Sequence, residues 1–272
     1  MMVDKRQTSA TDRYWRIFVA RCRLSLTLAA QYRWDFLADG ALSFLGLIAG
    51  LLPLFVAFEH RTSVRGWSYG EVLLVVGFFT ILKAIFSAIL LPSLTELAAG
   101  VRSGTLDFLL TKPADAQFLV SIARFEFWRL SSLLWGISLC GYAFFRIGRV
   151  PGGVDILLAL LLLVCGAAVL YSICIFVASL AFVIVKMDSL PFIFSSFLDF
   201  ARWPASIFRG VVHLIFTVVF PVAILTTYPA EAALGRISLS SLAWGIAWSG
   251  ALLLLSRLAF RVAVRRYTSA SS

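Results

Sequence analysis

Residues 72 to 91 read VLLVVGFFTILKAIFSAILL, an unbroken apolar run that carries one charge, Lys83. The hydrocarbon core of a bilayer is about 30 Å thick and takes about 20 mostly apolar residues of helix. Lipid offers no partner to backbone N–H and C=O groups, so a run of this kind satisfies them internally as an α-helix. Five further stretches share the character: Phe36 to Phe58, Phe127 to Phe145, Ile156 to Val185, Gly210 to Pro229 and Ile237 to Leu258. The sequence therefore predicts an all-α integral membrane protein with six transmembrane helices. The run from Ile156 is longer than one crossing needs, which calls for tilt or for a projection beyond the membrane.

Composition agrees. The chain is 61% hydrophobic and 14% charged, where a soluble domain carries about a quarter charged residues. No polar block divides the apolar runs, so residues 36–260 read as one transmembrane domain, preceded by a cytoplasmic or interfacial segment, 1–35, and followed by a cytoplasmic tail, 261–272. The net charge of +10 does not point to nucleic acid, because the Lys and Arg residues fall in short loops between apolar runs. Seven lie in the N-terminal segment, four in residues 93–129, three in 186–209 and four near the C-terminus, against five on the opposite side at Arg61, Arg65, Arg146, Arg149 and Arg236. Short cytoplasmic loops retain positive charge, so both termini are expected in the cytoplasm. The N-terminus lacks the apolar core and small-residue cleavage site of a signal peptide. Cys22, Cys140, Cys165 and Cys174 show neither zinc-ligand nor disulfide spacing and read as inert thiols.

Between Thr11 and Trp34, helical periodicity puts Trp15, Phe18, Cys22 and Leu26 on one face, with Arg13, Arg16 and Arg23 towards another. This predicts an amphipathic helix, either lying on the inner leaflet or packed on protein in the cytoplasm. The stretch SLTELAAGVRSGTLDFLLTKPADAQF, residues 93–118, is too polar for lipid. Gly104 is suited to end a cytoplasmic extension of the second span, Thr105 to cap a short new helix, and Pro113 to stop that helix after Lys112. The short helix presents Leu106, Phe108, Leu109 and Leu110, apolar side chains that need a partner in this chain or another.

Lys83 costs at least about 2.5 to 3.5 kcal/mol near the bilayer centre, so it needs a compensating role. Thr80, Lys83 and Ser87 share one helix face, which lines either a water-filled path or a subunit interface; alternatively Lys83 snorkels to the headgroups. Asp35 and Asp39 read as interface anchors beside Arg33 and Trp34. Gly46 and Gly50 form a G-x-x-x-G that permits close helix approach. The loop from Met187 to Arg209 has room for a second cytoplasmic helix. The sequence contains no Gly-Lys dipeptide, hence no phosphate-cradling loop, and no set of acid, base and nucleophile for catalysis.

Two motifs carry a resemblance. The run Arg102-Ser103-Gly104-Thr105-Leu106-Asp107-Phe108-Leu109-Leu110-Thr111-Lys112-Pro113 is similar to the region between the second and third spans of ABC-2-type permeases. Pro221-Val222-Ala223, with Thr227-Tyr228-Pro229-Ala230 and Leu234-Gly235, resembles that family's signature before the last span, and Tyr32 to Phe36 resembles its opening. The branch it resembles comprises six-span permeases of bacterial exporters whose ATPase is a separate protein. The resemblance implies a permease dimer, identical or with a sibling, in the bacterial inner membrane. Two ATPase subunits would dock on the coupling helix formed by Arg102, Gly104 to Leu110, Lys112 and Pro113. It implies no cofactor on this chain, ATP being bound by the partner, and a structural role for Pro221, Tyr228, Pro229 and Gly235. Export of amphipathic or cationic compounds is the substrate class that the resemblance suggests. Two other classes compete: a secondary transporter, which usually shows internal repeats that residues 36–145 and 156–260 lack, and a membrane-embedded lipid-modifying enzyme.

Overall fold

The computed structural model describes residues 10–31, 33–105, 108, 111–112, 114–182, 195–196, 198–208, 210, 215–216 and 221–266. Its principal elements are α1 (Ala10–Gln31), α2 (Arg33–Phe58), a two-residue hairpin of β1 (Ser63–Val64) and β2 (Trp67–Ser68), α3 (Tyr69–Ile85), α4 (Leu91–Ser103), α5 (Ala116–Ser121), α6 (Ser131–Ile147), α7 (Gly153–Ala181), α8 (Tyr228–Ala233) and α9 (Leu239–Arg266). Among the described residues five helical stretches are long and apolar enough to cross a membrane: Leu37–Phe58, Tyr69–Val101, Phe127–Ile147, Gly153–Leu180 and Leu239–Arg266. The protein is a multi-pass, α-helical membrane protein. α9 continues past residue 260, so the stretch expected as a tail begins within a helix.

Burial within the bundle ranks these stretches. In the most apolar window of each, 67% of the α3–α4 stretch and 50% of α7 are buried, against 6% of α2. α3 and α7 are therefore the centre, and α2 leans against it with Leu42, Leu45, Leu52, Phe55 and Val56 exposed, the side chains a lipid-facing helix shows. The tightest crossing joins α3 to α6. A Cβ on Gly77 would fall 3.3 Å from the Gly136 carbonyl oxygen, and one on Gly136 would fall 3.2 Å from that of Gly77. Small residues let helix backbones approach in lipid, and this pair does so. The expected Gly46 and Gly50 pair is used otherwise: Gly46 faces open space and Gly50 makes room for the Arg202 guanidinium.

α3 and α4 form one rod interrupted by a π-helical turn, Phe86–Leu90, and proline explains the interruption. Pro92 has no N–H to donate to the carbonyl four residues back, that of Ala88. That acceptor takes the Glu126 N–H instead, at 2.8 Å, and Ser93 Oγ pins the same chain by donating to the Arg124 carbonyl at 3.0 Å. A second π-helical turn, Ala223–Thr227, stands in the same relation to Pro229. It packs on α7 at Gly166, where a Cβ would lie 3.1 Å from the Ile224 carbonyl oxygen.

One end of the bundle is marked by the hairpin. Ser68 and Glu71 close a capping box at the start of α3, Arg236 pairs with Glu71 at 2.7 Å and stands 4.1 Å over the Trp67 ring, and Arg149 donates to the Leu234 carbonyl. Trp67 Nε1 also donates to Ser206 Oγ, at 3.1 Å. Ser206 is therefore at the hairpin end, not with the positively charged loops where residues 186–209 were expected. In the described part of this stretch residues 195, 196 and 198 are helical and are followed by 3-10 turns, Asp199–Arg202 and Ala205–Ile207, against α3 and the 223–227 turn; the rest of the expected second helix lies outside the described residues. Because Ser206 and Gly235 meet the same end, the expected fifth run from Gly210 to Pro229 is bracketed by two points on one side. Arg202, one of the three charges counted in that stretch, stands inside the bundle beside Asp199 and Phe79 and not in a loop. Residues 209, 211–214 and 217–220 of that region lie outside the described residues.

α1 rests on the segment after α4: Tyr14 meets Phe118 edge-on at 4.9 Å, Phe18 meets Phe125 at 6.0 Å, and Arg21 donates to the Ala123 carbonyl at 3.1 Å. Of the face expected from the sequence, Phe18 packs on protein, while Trp15 and Leu26, with Leu24, stay exposed.

Candidate functional site

Thr80, Lys83 and Ser87 line one cavity of about 330 Å³, with Asp39, Ser43, Gly46 and Gly50 of α2, Val76 and Phe79 of α3, Arg129 and Ser132 of the α6 stretch, and Arg202. Asp39 to Gly50 and Val76 to Ser87 each advance about 16 Å at 1.5 Å per residue, so the cavity is a slot running along the helices. Thr80 spends its hydroxyl proton on the Val76 carbonyl and Ser132 spends its own on that of Arg129. The hydroxyls of Ser43 and Ser87 have no partner among the described residues.

Lys83 is met by a carboxylate. Its Nζ lies 2.6 Å from Asp199 Oδ1, and Arg202 Nη2 reaches the same oxygen at 3.4 Å. Both cations also stand on the Phe79 ring, 5.5 Å and 5.3 Å from its centroid. Lys83 is thus ion-paired within the bundle, and its face with Thr80 and Ser87 lines the cavity. Asp39, read as an interface anchor, lines the same cavity from α2. At that end Arg129 and Arg124 share Glu126. Sequence reasoning missed Asp199 and Arg202. The available signal was an acid and a base three residues apart in a stretch that opens with a short apolar run.

Of the expected coupling helix, Leu106, Asp107, Leu109, Leu110 and Pro113 lie outside the described residues, as does the side chain of Arg102. Gly104 ends α4 in the left-handed conformation, φ 71°, which glycine adopts without cost. Thr105 bonds Ser103 through the two hydroxyls, Thr111 donates to the Phe108 carbonyl, and Phe108 is 74% exposed. Beside them is a groove of about 170 Å³ lined by Glu96, Leu97, Gly100, Thr105, Phe108, Lys112, Val120 and Ala123.

The chain beyond is bolted down at Asp115. Arg257 of α9 grips both carboxylate oxygens, Nη1 lying 2.7 Å from Oδ1, and also reaches Gln117 Oε1 at 2.9 Å. The Asp115 N–H donates to the Tyr14 hydroxyl of α1, and Gln117 donates to the Tyr171 hydroxyl of α7, both at 3.0 Å. The hydrogen bonds from Arg257 hold the Asp115 carboxyl below its ordinary pKa, the Phe118 N–H helps, and partial burial opposes them.

The remaining motif residues are architectural in position. The Pro221 carbonyl accepts from the Ile224 N–H at 2.9 Å as the π-helical turn begins, Tyr228 lies against Gly245 of α9, and Pro229 is buried at the start of α8. Gly235 has φ 63°, and a Cβ there would stand 2.6 Å from Arg149 Nη2.

The profile of the family described as ABC-2 family transporter protein matches residues 44–271. No curated protein and no solved structure matches the chain.

Proposed function

Since the chain belongs to the ABC-2 family of transporter proteins, we propose that it is the permease subunit of an ATP-driven exporter in a bacterial inner membrane, working as a dimer over two separate ATPase subunits. The observation that carries this reading is the cavity in which Thr80, Lys83 and Ser87 meet Asp39, Arg129 and Arg202. A polar slot at membrane depth is costly to maintain and is what a translocation path requires. The sequence contains no phosphate loop, which fits a chain that leaves ATP to a partner. In this reading the chain crosses six times. Five crossings are the long helices; for the sixth, Phe182 meets Phe260 of α9 at the far end and Ser206 stands at the hairpin end, so the chain changes ends between these two residues. Both termini and the segment after α4 face the cytoplasm, where Gly104, Thr105, Phe108 and Lys112 border the groove offered to the ATPase. The residues between them, Leu106, Asp107, Leu109 and Leu110, with Arg102 and Pro113, complete the docking element.

The test is co-purification with an ATPase encoded beside this chain, followed by transport and ATP turnover of the reconstituted pair. The expected outcome is a stable complex whose transport, but not assembly, is impaired by Lys83→Met. A chain that recruits no ATPase and transports without ATP is instead a secondary transporter.

A further inference from the structure

We propose that the cavity between α2 and α3 binds an anionic amphiphile, its carboxylate or phosphate head held between Lys83 and Arg202. The inference names a substrate class for the transporter reading and depends on that reading only for the transport step, not for binding.

Charge balance within the slot makes the case. At its Asp39 end, Arg129 lines the slot beside Asp39, and Arg129 and Arg124 are both paired with Glu126 just outside it, so two carboxylates stand near two cations. At the other end Lys83 and Arg202 share one oxygen of one carboxylate, Asp199, among the described residues. Among the described residues one positive charge is thus left over at this end of the slot, and an uncompensated charge at membrane depth is costly. The donors are spare as well as the charge. An ammonium has three N–H groups and a guanidinium five, and the described contacts of Lys83 and Arg202 with oxygen are those to Asp199. Since both reach that oxygen, at 2.6 and 3.4 Å, their nitrogens stand within about 6 Å of each other, a gap that the two oxygens of one oxyanion span at charge-assisted bond lengths of about 2.8 Å. Arg202 Nη1 faces Gly50, where a Cβ would be 3.0 Å away, so the guanidinium occupies the space a side chain would have filled. The walls beyond are apolar, Leu42, Leu47 and Val76, and α2 is the least buried of the long helices. A free anion would use the head site and none of these walls; an amphiphile uses both.

The experiment titrates the full chain in a neutral maltoside detergent with palmitate and with phosphatidylglycerol, following bound ligand by native mass spectrometry. Phosphatidylcholine, hexadecyltrimethylammonium and inorganic phosphate are the comparison probes. Palmitate and phosphatidylglycerol bind, and Lys83→Gln or Arg202→Gln weakens them about tenfold or more. Asp199→Asn strengthens them, because it removes the competing carboxylate. That gain decides the matter, since a misfolded variant does not bind tighter. Loss of binding in Asp199→Asn, or equal binding of the zwitterionic and cationic probes, overturns the proposal. Inorganic phosphate binding as tightly as phosphatidylglycerol assigns the site to a free anion and removes the amphiphile. No ATPase takes part, so a chain that binds palmitate but recruits no ATPase forfeits the transporter reading and keeps this one; a transporting pair indifferent to these ligands does the reverse.

Discussion

Gly235 and Asp115 show how single residues lock the two ends of the bundle. Gly235 combines a left-handed φ with a missing Cβ whose place is taken by Arg149 and Asp155. Gly235→Ala is therefore expected to destabilise by about 1 to 3 kcal/mol, read as a lower melting temperature in detergent. Gly141→Ala, in open space on α6, is expected to be neutral or to gain up to about 1 kcal/mol from helix propensity. Asp115 is a carboxylate with a depressed pKa, so its stabilisation is present above the ordinary value of about 3.9 and is lost as pH falls through the lower folded value. Asp115→Asn should cost about 1 kcal/mol near neutrality, a figure reduced for the partial exposure of the pair. The difference from the unaltered chain should shrink as the pH of the melt falls through the lowered folded value. At this scale the sequence was legible where chemistry is local: Gly104 and Lys83 announced themselves. Lys83's partner did not, because it lies 116 residues away in a stretch whose charges read as a cytoplasmic loop.

Elements were legible where an apolar run is long, since length and composition alone fix a membrane helix. Their interruptions were not. Pro92 and Pro229 each follow a π-helical turn at the same offset, yet proline in a sequence says that a hydrogen bond is missing, not which distant donor replaces it. The docking element is the other case. Phe108 is 74% exposed, so Phe108→Asp removes little internal packing, whereas one phenylalanine seated in a partner's groove is worth roughly 1.5 to 3 kcal/mol. In pull-downs this variant is expected to bind the ATPase about tenfold more weakly or worse at an unchanged melting temperature. Asp107→Asn should do much less, as a rim charge contributes about 0 to 1 kcal/mol. Full ATPase binding by folded Phe108→Asp removes the side chain from the interface.

At the scale of the whole molecule, the two ends of the bundle differ in what holds them. The hairpin end is tied by Glu71, Arg236, Arg149 and Ser206, the other by Asp115, Arg257, Tyr14 and Tyr171. This separates the two candidate positions of residues 199–208. With the native cysteines replaced, Ser206→Cys is expected to react with a membrane-impermeant reagent from outside intact cells and Ser103→Cys only after permeabilisation. Labelling of both from the same side would contradict the arrangement. The π-helical turn at Phe86–Leu90 has a mechanical consequence. A helix with a complete internal ladder bends only by straining its own bonds, but this rod has handed one acceptor, the Ala88 carbonyl, to Glu126. The carboxylate of the same residue holds Arg129, which lines the slot together with Ser87. A displacement of the segment from Asp115 to Glu126 thus reaches the π-helical turn and the slot through one residue. Glu126 is placed like a rivet through two plates: what moves one moves the other.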